Sequence, residues 1–452
     1  MTRILVLGAG LVARPLVKYL LAQDGFQVTV ADRLIQRAEA LIGDAHNGRA
    51  VELCVGEGGL LEELIVAHDL VVSLLPAQLH PMVAGVCVEL GRSMVTTSYV
   101  SPVMAGLDGA ARARGLTILN EAGVDPGLDH MSAMRVIDDV HRRGGRVLRF
   151  RSYCGGVPAP DSNDNPWGYK MSWSPRGVCM AANSSARFAR RGIVQNLAGA
   201  LMYSQPDRLV VDGFPCFQAY PNRDSLRYAE LYGMQNVETM YRGTLRYEGW
   251  CESIGAALRL NLFDDRPLEL PPGATWAQFM AGRTGGDPNA PIGTAEIRRR
   301  VARAALLKEA DPVLERFAWL GLFDETPARA GLERHPAPVD YVSHAMSERM
   351  SYAAGERDAV VMKHFFRAVF EERNIAEHIT CTLVVLGEPG GESAMSRTVG
   401  LPAAVAARLI AGGIVSLPGV RIPVDACFYE PILDELAGLG IRFLETRQIE
   451  PL

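Results

Sequence analysis

The run Ile4-Leu5-Val6-Leu7-Gly8-Ala9-Gly10-Leu11-Val12-Ala13 constrains the fold more than any other stretch of the chain. Four apolar residues without alternation read as a strand buried on both faces, and the pattern breaks at once into glycines and then a helix from about Leu11 to Leu21. Gly8 permits the tight turn leaving the strand, Gly10 lets a pyrophosphate approach the backbone, and Ala13 keeps helix and strand close. The helix start, with Leu11 and Val12, turns its N–H groups and positive dipole end toward the phosphates of a dinucleotide. Other tight strand-to-helix connections can use the same residues, so the motif counts only with its surroundings.

A second apolar strand, Val28 to Ala31, ends in Asp32, where an acidic side chain hydrogen-bonds an adenosine ribose. Such a carboxylate repels the extra phosphate of NADP and favours NAD, although Arg33 and Arg37 leave NADP possible; the plainer alternative is that Asp32 merely ends a strand. Short apolar strands and helical stretches alternate to about residue 120, with Asp69–Leu75, Met94–Ser98 and Leu116–Asn120 as further strands. That alternation predicts an α/β fold with an N-terminal doubly wound parallel sheet of the Rossmann type. Ligands of such sheets lie beyond the C-terminal strand ends, which places Leu75-Pro76, Thr97-Ser98-Tyr99 and Glu121 to Pro126 along one crevice.

At 452 residues, the chain needs more than one domain. The net charge of -5 gives no electrostatic ground for nucleic-acid binding, so an anionic substrate has to be held by individually placed arginines. Eight cysteines without a C-x-x-C pair read as reduced thiols in a cytoplasmic protein. Met1 leads directly into strand residues, so no signal peptide is expected. No membrane span is expected either, because Glu62, Glu63, His68 and Asp69 interrupt the apolar run from Leu60 to Leu75. The histidines form no H-x-x-x-H pair, and no metal is expected.

Residues 1–126 are read as the dinucleotide-binding domain. A helix follows Gly127, with Met131, Met134, Ile137 and Val140 on its core face; Asp125-Pro126 can be its N-cap and first residue. From Arg146, the alternating runs Val147–Tyr153, Gly243–Tyr247 and His378–Val385 predict half-buried antiparallel strands. They define a second α/β domain with a mixed or antiparallel sheet over 127–260 and 346–400. Residues 261–345 read as a helical insertion anchored by Phe317 to Phe323. Residues 401–452, with a helix Pro402–Ala411 and a strand Ile441–Glu445, return to the first or second domain.

Five ordered blocks carry a family resemblance: Thr97–Pro102, Asn120–His130, Ser152–Pro160, Tyr220–Ser225 and Tyr241–Tyr247. With the glycine turn and Phe317–Phe323 they resemble the glutamate-forming saccharopine dehydrogenases, also called saccharopine reductases. The likeness spans most of the chain and is poorest at about 264–312. It implies a three-domain homodimeric enzyme of lysine metabolism that interconverts saccharopine, NAD(P)+ and water with glutamate, aminoadipate semialdehyde and NAD(P)H. The pattern carries cofactor contacts onto Gly8, Gly10, Leu11, Val12, Ala13, Asp32, Arg33, Leu75, Thr97, Ser98, Val124, Pro126 and Trp173. It carries substrate contacts onto Ser98, Tyr99, Asp125, Cys154, Gly155, Arg223, Thr244 and Arg246, and proton transfer onto Asp125, Tyr99 or Cys154 without choosing among them.

Chemistry agrees with the resemblance, since a substrate with three carboxylates and a secondary amine needs guanidinium groups and a carboxylate. Taken singly, each residue has a plainer reading. Arg223 is a turn arginine, Arg246 a solvent-facing strand residue, Cys154 a small buried hydrophobe and Tyr99 a packing aromatic. Trp167 and Trp173 flank a polar loop, Pro158 to Pro166, and either cover a bound substrate or pin the loop to the core. The rival readings are a homospermidine- or carboxynorspermidine-forming reductase, whose amine-rich substrates call for carboxylates, and a non-catalytic dinucleotide sensor.

Overall fold

The structure is a computed structural model that describes residues 1–234, 236–330 and 335–452. The chain opens with β1 (Thr2–Leu7), α1 (Ala13–Leu21), β2 (Phe26–Asp32), α2 (Ile35–Ile42), β3 (Gly48–Glu52), α3 (Leu60–Ala67), β4 (Leu70–Ser73), α4 (His80–Glu89), β5 (Ser93–Thr96), α5 (Pro102–Ala105), α6 (Asp108–Ala113), β6 (Thr117–Leu119) and α7 (Leu128–Arg142). The middle holds β7 (Arg146–Pro158), α8 (Pro175–Ala181), β8 (Ala186–Arg190), β9 (Ile193–Leu197), β10 (Asp207–Leu209), β11 (Phe217–Pro221), α9 (Arg227–Leu231), β12 (Thr239–Tyr247), α10 (Trp250–Arg259), α11 (Trp276–Arg283), α12 (Thr294–Ala304), α13 (Pro312–Trp319) and α14 (Pro338–Arg349). It ends with β13 (Asp358–Phe370), β14 (Ile375–Leu386), α15 (Ala394–Ala411), β15 (Gly419–Arg421), α16 (Ala426–Gly438) and β16 (Leu444–Pro451). Two compact units result, Met1–Val147 with Met362–Leu452, and Leu148–Val361.

In the first unit, seven parallel strands run in the order β15-β6-β5-β4-β1-β2-β3. β1 is central because Ile4 to Leu7 are wholly buried and need neighbours on both edges and both faces. The strand order reverses direction between β1 and β4, which puts the topological switch point beside the glycine turn. β15 was invisible as a strand in the sequence. It pairs Gly419 with Thr117 and is fixed by the Thr117 hydroxyl, which donates to the Leu417 carbonyl at 3.1 Å.

Two expectations for the C-terminal part are corrected. The predicted helix Pro402–Ala411 begins earlier, at Ala394, where the Ser393 hydroxyl caps it by accepting from the Ser396 N–H at 3.0 Å. Pro402 lies inside the helix rather than at its start. The late strand is Leu444–Pro451 rather than Ile441–Glu445; it pairs antiparallel with β14, and every residue in it is exposed, so no apolar alternation marked it.

α15 packs on α1 through Gly400, where a Cβ would lie 2.7 Å from the Val12 carbonyl oxygen. Gly400→Ala is expected to lower stability by about 1–3 kcal/mol, as overpacking does, and to shift the urea midpoint down at unchanged slope. An unchanged midpoint would mean that the two helices are not held at this distance.

The second unit contains the strand order β10-β11-β12-β7. β12 pairs antiparallel with β11 along Gly243–Tyr247, as expected, but its other edge pairs in parallel with β7, and eight of its nine residues are buried rather than half of them. The alternation was misleading because the polar positions Arg242 and Arg246 are themselves buried against aromatic rings. Helices α11 to α14 fill the predicted helical stretch, of which residues 331–334 lie outside the described residues. Its anchor is buried as expected at Phe317, Leu320, Leu322 and Phe323. Among the described residues no helix is long and apolar enough to cross a membrane.

Candidate functional site

In the first unit, the chain leaves β1 through Gly8, whose φ of +99° and whose position 3.0 Å (for a Cβ) from the Leu74 carbonyl both require glycine. Around Gly10 nothing comes within 4 Å of a built Cβ, and Leu11 is exposed, so the turn is open to a ligand. Val12 caps α1 without a side-chain hydrogen bond, and Ala13 is wholly buried beneath the turn. These are the backbone donors and the close approach that a pyrophosphate needs. Asp32, at the end of β2, accepts from the Ala9 N–H at 2.8 Å and from the Leu34 N–H at 2.9 Å. Its carboxylate is therefore fixed against the glycine turn, while Arg33 is exposed.

Further strand ends complete this half. Leu75, Thr97, Ser98 and Tyr99 are half-buried after β4 and β5, and Val124 and Pro126 are buried in the loop after β6. The Tyr99 hydroxyl donates to Asp125 Oδ1 at 3.0 Å. Asp125 is not the helix cap that local sequence allowed: α7 starts after Gly127, whose N–H donates to Asp129 at 2.6 Å. Gly127 has no alternative residue, since a Cβ there would meet the Gly123 carbonyl oxygen at 2.1 Å.

Beneath this loop lie two side chains whose contacts the sequence reading did not foresee, one of them, Glu121, already placed at the crevice. Glu121, wholly buried, accepts from the Val100 N–H at 3.1 Å and lies 2.8 Å from His130 Nε2, tying the Tyr99 and Asp125 segments to one carboxylate. His80 is also buried, between Ser73 and Ser98, and burial pushes its imidazole down to about 4. The only local signal for either was a polar residue among apolar ones.

In the second unit, Cys154 on β7 stands directly across from Thr244 on β12. At Gly155 the strands approach so closely that a Cβ would lie 2.4 Å from the Leu245 carbonyl oxygen. Thr244 and Arg246, two residues apart, share a face of β12. Arg246 is 7% exposed, with its guanidinium carbon 4.8 Å from the Tyr169 ring centre and 5.5 Å from that of Trp250. Its Nη1 donates to the Leu245 carbonyl at 2.7 Å, and its Nε has no hydrogen-bond partner. Among the described residues no carboxylate pairs with it, and the hydroxyl of the neighbouring Tyr169 is also unpartnered.

Arg242 shares that face and packs over Tyr228 at 4.4 Å, buried to 1% exposure. Its four-residue spacing from Arg246 was the available signal. Arg223 sits instead at an exposed turn after β11, with a φ of +53° and its carbonyl accepting from the Arg187 N–H at 2.9 Å. Trp167 is a pin: its indole N–H donates to the Arg316 carbonyl at 3.0 Å and its ring stacks on Phe317. Trp173 remains 37% exposed. Among the described residues no group of three or more His, Cys, Asp or Glu side chains is arranged to hold a metal ion.

A glycine turn at the switch point of a seven-stranded parallel sheet, with a carboxylate fixed at the end of β2, defines a nicotinamide-dinucleotide-binding protein of the Rossmann class. Residues 4–119 match the family model for the saccharopine dehydrogenase NADP binding domain, and residues 123–441 that for the saccharopine dehydrogenase C-terminal domain. The chain belongs to the saccharopine dehydrogenase family. It is 36% identical to "Saccharopine dehydrogenase [NADP(+), L-glutamate-forming]" of Schizosaccharomyces pombe, over 98% of this chain and 99% of that one. It is also 36% identical to the mitochondrial alpha-aminoadipic semialdehyde synthase of Bos taurus, over 99% of this chain but only 48% of the longer protein. Among solved structures, the apo saccharopine dehydrogenase (L-Glu forming) of Saccharomyces cerevisiae superposes with a TM-score of 0.88 at 34% identity, covering 99% of this chain and 100% of that one.

Proposed function

We propose that this chain oxidises saccharopine with a nicotinamide dinucleotide and water to glutamate and aminoadipate semialdehyde, and that it runs the reverse reaction as well. One observation carries the substrate side of this reading: Arg246 is a buried cation without a carboxylate partner among the described residues. An uncompensated buried charge costs several kcal/mol, so its countercharge is best supplied by a ligand carboxylate. Saccharopine has three. An amine-rich substrate of the homospermidine type has none to offer, and a sensor that only binds dinucleotide has no use for the arginine.

The oxidised dinucleotide supplies a hydride acceptor for the carbon beside the secondary amine. The chain's own groups do the rest. Asp125, oriented by the Tyr99 hydroxyl, accepts a proton so that the amine is neutral when hydride leaves, and Tyr99 holds that carboxylate in place. Thr244 and Arg246 hold the substrate, and Ser98 meets a ligand at the end of β5. Cys154 stands across from Thr244 in the pairing of β7 with β12. The decisive assay mixes the purified chain, saccharopine and either dinucleotide and follows the absorbance of reduced nicotinamide; no signal in either direction would end this reading. A cytoplasmic location completes the proposal, in keeping with cysteines that are all free thiols, and the homodimer is proposed on the family resemblance alone.

The names of the relatives favour NADP. Asp32 pulls the other way, because its fixed carboxylate lies where a 2′-phosphate would have to be accommodated. We infer that Asp32 biases this chain toward NAD. Asp32→Ala is expected to lower the ratio of kcat/KM for NAD over NADP by about tenfold, the equivalent of ~1.4 kcal/mol. An unchanged ratio would leave cofactor choice to other residues.

A further inference from the structure

His80 opens α4 just beyond the end of β4, and its imidazole meets three hydroxyl groups. Nδ1 lies 2.9 Å from Ser73 Oγ, Nε2 lies 2.9 Å from Ser98 Oγ, and the buried Thr96 Oγ1 is 3.2 Å from Nε2 and 3.5 Å from Nδ1, so its hydrogen also reaches Nδ1 when Nε2 carries the ring hydrogen. Burial holds the ring neutral at neutral pH, so one nitrogen carries a hydrogen and the other a lone pair.

Ser73 decides which nitrogen is which. Its side chain is wholly buried, and its one hydrogen-bond partner among the described residues is Nδ1. Were Nδ1 to carry the hydrogen, the hydroxyl hydrogen of Ser73 would be left in the interior without an acceptor, at the full cost of its desolvation. Ser73 therefore donates to Nδ1, Nε2 carries the hydrogen, and Ser98 Oγ accepts from it. The hydrogen of Ser98 must then point away from His80. The main chain of Ser98 is held as well, since its carbonyl accepts from the Glu121 N–H at 3.1 Å.

We propose that His80, locked by Ser73 with its hydrogen on Nε2, is a positioning residue that commits the half-buried Ser98 hydroxyl to donate a hydrogen bond to a ligand oxygen. That oxygen belongs either to the carboxamide of the nicotinamide or to a substrate carboxylate; both are acceptors, and neither could be served if Ser98 donated to the ring instead. The proposal rests on the reading of Ser98 as a ligand contact.

A double-mutant cycle with steady-state kinetics tests it. Ser98→Ala is expected to lower kcat/KM by about tenfold, the loss of one oriented hydrogen bond. Ser73→Ala and His80→Leu are expected to cost a similar factor in the parent, and each to cost less than about twofold when Ser98 is already alanine, the mark of action through that hydroxyl. His80→Gln, which retains a side-chain N–H near the Nε2 position, should recover most of the loss, and a change of packing alone would not be rescued in this way. A rise in KM for the dinucleotide assigns the acceptor to the carboxamide, and a rise in KM for saccharopine assigns it to a carboxylate.

If Ser98→Ala is costly but the His80 and Ser73 penalties persist undiminished in its presence, the positioning role is overturned while Ser98 keeps its place. If Ser98→Ala is silent, the reading of Ser98 as a contact falls, and the proposal with it. Should His80→Leu fail to fold, Ser73→Ala removes a single oxygen and carries the cycle alone.

Discussion

Arg246→Met is expected to raise the KM for saccharopine by about 10²–10⁴-fold, from the roughly 3–5 kcal/mol at stake when one partner of a buried ion pair is removed. The same substitution should leave the ligand-free protein at least as stable as the parent. Without substrate the guanidinium is buried beside Tyr169 and Trp250 with an unpartnered Nε, and an apolar chain of similar length relieves that cost. Loss of substrate binding together with an unchanged or higher urea midpoint is a combination that a purely structural arginine cannot give. Arg246→Lys should fall between, because it keeps the charge and loses the planar fork. Arg223→Ala should change KM by less than about tenfold, since that side chain is exposed and its charge is screened. A KM unmoved by Arg246→Met would remove the basis for the proposed substrate.

Asp125→Asn should lower kcat by about 10²–10³-fold with little change in either KM, within the range that a positioned proton acceptor contributes. Asparagine still accepts the hydrogen bond from Tyr99 and preserves the shape of the loop, but it cannot take a proton. Tyr99→Phe removes only the bond that orients the carboxylate and should cost about tenfold. Presteady-state measurement of nicotinamide reduction distinguishes a slower chemical step from slower product release. A variant Asp125→Asn with parental kcat would transfer the proton-accepting role to another group.

The parts of the site that could be read in advance are those written in consecutive residues. The apolar run into Gly8 and Gly10, and the strand that ends at Asp32, fix their own backbone geometry, and that geometry carries the proposed pyrophosphate and ribose contacts. The parallel sheet followed from short apolar strands alternating with helices, although two of its seven strands, β3 and β15, did not. Residues 419–421 are too short and too polar to signal a strand, and they become one only because the edge of β6 is free to pair.

Side-chain roles were less legible because they depend on what packs against them. Asp125 in front of a proline has the local look of a helix cap; it is instead held by Tyr99, with the helix starting after Gly127. Arg246 and Arg223 were both candidates for gripping a carboxylate, the first read singly as a solvent-facing strand residue and the second as a turn arginine. The fold buries one among aromatic rings and leaves the other at an open turn. His80 and Glu121 gave no sign of their contacts, since Ser98, Val100 and His130 reach them only after the strand ends are brought side by side.

The amino-acid sequence by itself determined the dinucleotide turn, the parallel sheet and the family, because each is set by local backbone preference or by ordered motifs along the chain. Only the tertiary structure decided which arginine is buried with an unpartnered Nε, which carboxylate accepts from a tyrosine hydroxyl and which histidine lies among three hydroxyls. Desolvation and hydrogen bonding set those environments, and both arise from neighbours distant in sequence.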